Sequence, residues 1–126
     1  MITVEEAIKR HNRLIEQFGG ATGIRDLNGL EAALARPYAT FDRQELYPTA
    51  IDKAAAILES LVINHPFVDG NKRIAYGLMF LILAENGFTL TVSKDEQYTF
   101  VISASTGEIR FDEIKSWLEI NTSPLS

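Results

Sequence analysis

Val4, Ile8, His11, Ile15 and Phe18 recur at the three- and four-residue spacing that gathers side chains on one helical face, and Thr3 with Glu6 forms a capping-box start. The spacing predicts a first helix from about Thr3 to Phe18, ended by Gly19-Gly20-Ala21-Thr22-Gly23. A shorter second helix is expected over about Leu27 to Arg36, capped by Asp26 or Asn28 and stopped by Pro37, with Leu30, Ala33 and Leu34 facing inward. Tyr38 to Pro48 has no period and reads as an exposed loop or short hairpin. Thr49 and Asp52 open a third helix whose face is Ile51, Ala55, Leu58 and Val62, and which runs to about Asn64 before Pro66. From Asn71 to Asn86, with Gly87 as C-cap, apolar residues occupy every side, as in a central, buried helix. Phe88 to Val92 alternates like a strand but has no obvious partner, so it is expected to be a connector. Ser93 and Glu96 open another helix carrying Tyr98, Val101 and Ile102, and a last one carries Phe111, Ile114, Trp117 and Leu118. The pattern predicts an all-α, compact bundle of about six helices.

Composition sets the limits of that picture. With 126 residues and 46% hydrophobic content, the chain is sized for one domain spanning 1–126, and no repeat or linker divides it. It has no cysteine, which excludes disulfides and thiolate metal sites. The N-terminus lacks a signal-peptide pattern, and the longest apolar stretch, Ile74 to Ala84, suits a core helix better than a membrane span. A cytoplasmic protein without a membrane partner is expected. The net charge of −5 is the wrong sign for binding DNA or RNA through many backbone phosphates. A small polyanion such as a nucleotide needs only a local cluster of donors.

The segment His65-Pro66-Phe67-Val68-Asp69-Gly70-Asn71-Lys72-Arg73 offers such a cluster. The start of a helix at Asn71 would leave backbone amides without partners and carry partial positive charge. Gly70 permits close approach of a phosphate, and Lys72 and Arg73 add charged donors. A carboxylate at Asp69 is useful beside an anion only if it holds Mg²⁺ on phosphate oxygens. His65 suits a general base that takes a proton from an attacking hydroxyl. Taken singly, the same residues would merely cap helices, fill the core at Phe67 and face solvent.

The string resembles the signature of the Fic/Doc family, H-x-F-x-D/E-G-N-x-R, and more closely its death-on-curing (Doc) branch, which has N-K-R. His65, Phe67, Asp69, Gly70, Asn71 and Arg73 match it. Phe18-Gly19-Gly20, Gly23-Ile24-Arg25-Asp26, Arg36-Pro37 and Glu85-Asn86-Gly87 also look like Doc-branch landmarks. The resemblance implies a Fic/Doc-like helical fold and a transferase that modifies a protein hydroxyl with part of ATP. It makes His65 the base and gives Asp69 the task of orienting phosphate and Mg²⁺. It also implies a phosphate nest of Gly70, Asn71 and Lys72, a phosphate clamp at Arg73 and a loop anchor at Phe67. AMP-transferring members typically read G-N-G-R-x-x-R, whereas this chain has Lys72 for the glycine and Tyr76 for the second arginine. That departure favours the Doc-type activity, in which the γ-phosphate goes to a target such as elongation factor Tu and arrests translation. AMP transfer and a catalytically silent binding module are the alternatives. The inhibitory pattern [S/T]-x-x-x-E-[G/N] is not found, since Leu81 precedes Glu85-Asn86, so an antitoxin acting in trans is the expected partner.

Other residues are assigned no chemistry. His11 reads as a core histidine satisfied by one hydrogen bond, Gly19, Gly20 and Gly23 as turn glycines, and Trp117 as core. Arg25 and Asp26 are expected to pair locally. Tyr38, Phe41, Leu46 and Tyr47 lie where Fic proteins carry a flap that aligns the target peptide, and they could equally be an edge cover. Ser60 with His65 suggests no nucleophilic triad.

Overall fold

The computed structural model describes residues 1–125. Six α-helices among them carry the bundle, in the order α1 (Val4–Phe18), α2 (Leu27–Ala35), α3 (Ala50–Asn64), α4 (Asn71–Glu85), α5 (Lys94–Ser105) and α6 (Phe111–Asn121). Their starts follow the capping chemistry. The hydroxyls of Thr3, Thr49 and Ser93 accept from the amides of Glu6, Asp52 and Glu96, and the Asp26 carboxylate accepts from the Gly29 amide. A short 3₁₀ turn, Arg36–Tyr38, follows α2 and absorbs Pro37.

The most enclosed helix is α3, which precedes the motif loop. Residues 54–62 along it are all buried, and it packs against α2, α4, α5 and α6. Helix α4 lies along it and inserts Ile74, Ala75, Leu78, Met79, Ile82 and Leu83 into the core, while Lys72, Arg73 and Phe80 remain exposed. The apolar residues on every side of α4 therefore serve several neighbours, with one stripe left at the surface. In α5 the buried positions are Phe100, Val101 and Ala104, and Phe100 stacks on Trp117 of α6 with centroids 3.8 Å apart, while Tyr98 is exposed.

Two short antiparallel pairs complete the fold. Thr40–Phe41 (β1) and Gln44–Glu45 (β2) form a hairpin over the otherwise aperiodic segment, with Asp42 and Arg43 in the left-handed region its two-residue turn requires. Phe88–Leu90 (β3) is not a bare connector. It pairs with Thr122–Pro124 (β4), Phe88 opposite Pro124 and Leu90 opposite Thr122, a partner too distant and too polar for local alternation to reveal. No helix among the described residues is long and apolar enough to cross a membrane.

Candidate active site

The loop from His65 to Gly70 joins the C-terminus of α3 to the N-terminus of α4. Helix α3 ends because His65 turns left-handed, at φ 46° and ψ 57°, a region that histidine enters more readily than most residues. His65 itself is exposed. Two residues on, Phe67 is 1% exposed and anchors the loop in the core.

Asn71 closes the loop upon itself. Its Nδ2 donates to the Phe67 carbonyl at 3.0 Å, and its Oδ1 accepts from the Phe67 amide at 2.9 Å. The Asn71 side chain thus fixes the loop with one bond from each end, which leaves its backbone amide and its second Nδ2 hydrogen free to donate. Gly70 gives α4 no side-chain cap, so the first-turn amides, including those of Asn71 and Lys72, face outward with the dipole behind them.

Helix α1 forms the floor. The His11 ring stacks on Phe67 with centroids 3.9 Å apart and planes 8° from parallel. Its Nε2 lies 2.6 Å from the Asp69 carbonyl, which can only accept, so Nε2 carries the proton. Nδ1 is left buried without a partner. The expected core histidine with one hydrogen bond is thus found, and that bond falls on the loop. A Cβ at Gly70, whose φ is +73°, would sit 3.3 Å from Ile15 Cδ1 and 3.4 Å from His11 Nε2, so glycine is favoured by conformation and by a tight fit against α1.

The Asp69 carboxylate has one amide donor on each oxygen, Gly70 on Oδ1 at 2.8 Å and Ala21 on Oδ2 at 3.2 Å. The residue is exposed, and each oxygen keeps a lone pair free. Such a carboxylate fits Mg²⁺ shared with phosphate oxygens. Among the described residues no three His, Asp or Glu side chains gather as a metal-holding cluster. The turn after α1 is shaped around this carboxylate, since a Cβ at Gly20 would come within 2.6 Å of Asp69 Oδ2.

Lys72 and Arg73 are exposed at the start of α4, and the Arg73 guanidinium lies over the Phe18 ring, 4.3 Å from its centroid. Phe18, expected on the buried face of α1, is instead 52% exposed beneath that arginine. Tyr76 points away from the loop. Its hydroxyl donates to Gln97 Oε1 of α5, and burial pushes its phenol pKa up.

Arg25 and Asp26 do not pair with each other. Asp26 caps α2, and Arg25 reaches the end of α3, donating from Nη2 to the Asn64 carbonyl at 2.6 Å and from Nε to the His65 carbonyl at 2.7 Å. The stretch 23–26 runs beside the motif, with Ile24 bridged to Phe67 and the Arg25 and Asp26 amides both on the Pro66 carbonyl. These contacts are invisible to periodicity, because they link a glycine-rich turn to a loop forty residues away. The resemblance of Gly23-Ile24-Arg25-Asp26 to a Doc-branch landmark is the signal in the sequence that points to this stretch. Concavities of about 400 Å³ lie elsewhere, one lined by Phe100, Ile109 and Trp117 and another by Ile51, Phe88 and Lys115.

The proteins that share this sequence can be set beside this geometry. The toxin Doc of Mycolicibacterium smegmatis is 47% identical over 78 residues, 62% of this chain and 60% of that protein, so the match spans three fifths of its length. The protein kinase doc of Escherichia phage P1 is 31% identical over 117 residues, 93% of this chain and 91% of that protein. Residues 1–83, which hold α1 to α3, the motif loop and most of α4, match the Fic/DOC family, and the chain belongs to it.

Proposed function

We propose that the chain is a Doc-type toxin, a single-domain protein-modifying enzyme that transfers the γ-phosphate of ATP to a hydroxyl of a target protein. The observation that carries this reading is an exposed histidine on the loop that leads into an uncapped helix N-terminus, a loop pinned by Phe67, Asn71 and His11. The names of the two relatives, a toxin and a protein kinase, support it.

In this mechanism the backbone amides after Gly70 and the side chains of Lys72 and Arg73 hold the phosphates. Arg73 leaves the Phe18 ring or reaches past it to do so. The target hydroxyl oxygen attacks the γ-phosphorus, the bond to the β–γ bridging oxygen breaks, ADP departs, and His65 takes the hydroxyl proton. Asp69 would hold Mg²⁺ against the phosphates, and the ion when bound neutralises their oxygens. Pre-positioning a base and an anion nest on one closed loop is what converts two encounters into one.

Transfer of phosphate is favoured over transfer of AMP by two residues. Lys72 occupies the exposed first turn of α4, beside the amides, and Tyr76 is engaged by Gln97 where a second phosphate-holding arginine would be needed. Elongation factor Tu is the proposed type of target, an antitoxin acting in trans the proposed restraint, and the cytoplasm the proposed location. Incubation with a cell lysate and ATP labelled in the γ or α position tests the reading. Protein label from the γ position alone is expected, label from the α position would establish AMP transfer, and no label from either would leave a binding module.

A further inference from the structure

We propose that Arg25 is a positioning residue for His65, fixing the peptide planes from which the imidazole projects; the proposal rests on the assignment of His65 as the base. The last carbonyls of a helix have no acceptor role left inside it and carry its partial negative charge. At the end of α3 two of them, on Asn64 and His65, both accept from one guanidinium, at 2.6 and 2.7 Å. Two charge-assisted bonds from a rigid planar donor to successive carbonyls fix both peptide planes around the His65 backbone. That matters here because His65 is left-handed, a conformation a non-glycine residue keeps only where its surroundings determine it.

Arg25 can hold His65 because Arg25 is itself held. Its own amide and that of Asp26 donate to the Pro66 carbonyl at 2.8 and 3.0 Å, and Val68 donates to the Gly23 carbonyl at 3.0 Å. Asn64 Nδ2 returns a bond to the Gly29 carbonyl at 3.1 Å. Residues on both sides of His65 are thus tied to the entry of α2. The anion nest on the far side of Phe67 is tied separately, by Asn71 and by His11. Loss of the guanidinium should therefore displace the base and leave the phosphate site where it is. Arg25 is exposed, so its removal takes little packing with it.

The test compares Arg25→Ala and Arg25→Lys with the wild type and with His65→Ala, measuring kcat and KM for ATP and the imidazole NMR resonances. The chain has two histidines, which makes His11 an internal control. A misplaced catalytic group costs roughly 10- to 100-fold, so Arg25→Ala should lose about that much in kcat with KM for ATP within about twofold. Its His65 resonances should shift while those of His11 stay, and Arg25→Lys should recover part of the rate through a single donor to these carbonyls. Unchanged kcat, a rise in KM at constant kcat, or equal movement of both histidines would overturn the proposal. If Arg25→Ala fails to fold, Arg25→Lys is judged by the same split. If His65→Ala transfers as well as the wild type, the base assignment fails, and the resonances still report whether Arg25 orders residue 65.

Discussion

His65 and Phe67 are two residues apart and are opposite in what they do: one faces solvent from a left-handed turn, the other fills the core beneath it. Substitution should separate the two roles. His65→Ala is expected to remove phosphate transfer and leave the thermal midpoint close to that of the wild type, because no buried surface is lost. Phe67→Ala should lower stability by about 3–5 kcal/mol and lose activity with it, and it also removes the ring on which His11 stacks. Chemical denaturation beside a transfer assay checks both, and a folded His65→Ala variant with near-wild-type transfer would refute the base assignment. Asp69→Asn keeps the shape of the side chain but removes the charge and turns one of its two acceptor oxygens into a donor, so one of the bonds from the Gly70 and Ala21 amides is lost with it. Transfer should slow and depend less on added Mg²⁺, and a wild-type rate indifferent to chelator would show that the metal role is wrong.

At the level of elements, helices α3 and α6 and the 3₁₀ turn meet at a buried carboxylate. Glu59 Oε1 accepts from Arg36 at 2.8 Å and Oε2 from Arg110 at 3.0 Å, while Arg36 Nε also donates to the Tyr47 hydroxyl at 3.0 Å beside the hairpin. Burial acts to raise the Glu59 carboxyl, but hydrogen bonds from Arg36 and Arg110 outweigh it and hold the pKa below its ordinary value of 4.5. A depressed carboxyl contributes stability above its unfolded pKa and loses it as pH falls through the folded value. The thermal midpoint of the wild type should therefore drop below about pH 4.5 more steeply than that of Glu59→Gln, and parallel curves for the two would contradict the ion-pair account. Elements of this kind are largely open to sequence reading: caps at Thr3, Thr49 and Ser93 and the burial of Leu30, Leu34 and Leu58 follow from local chemistry and spacing. The pairing of β3 with β4, the exposure of Phe18 and the reach of Arg25 are not, because each depends on what lies opposite in space. The motif string points to the candidate site, yet the hydrogen bonds that engage the Asn71 side chain and the bond from His11 to Asp69 emerge only once the helices are packed.

Across the whole molecule, an acidic chain presents a small cationic and amide-rich patch at the start of α4, which suits a nucleotide better than a long polyanion. Expression without a neutralising partner should arrest growth of a bacterial host, and harmless high-level expression of an active enzyme would contradict the toxin reading. In the proposed reaction, the part of ATP that is moved is set by how that patch meets the rest of the bundle. Lys72→Gly would clear the space over the first-turn amides, and Tyr76→Arg would add a guanidinium within a turn of Arg73. The tie from Tyr76 to Gln97 complicates the second change, since an arginine at 76 must leave α5 before it can turn toward the loop. Tyr76→Phe, which drops that hydrogen bond without adding a charge, is the control for mere loosening of α4 against α5. The double variant Lys72→Gly/Tyr76→Arg should lose γ-phosphate transfer while Tyr76→Phe retains most of it, and gain of α-phosphate transfer by the double variant would show that the nucleotide has reversed. The measurement is the mass added to a modified target protein. An addition of the size of a phosphate group from the wild type supports the kinase reading, and an adenylyl-sized addition from the wild type would overturn the role of Lys72 in excluding AMP transfer.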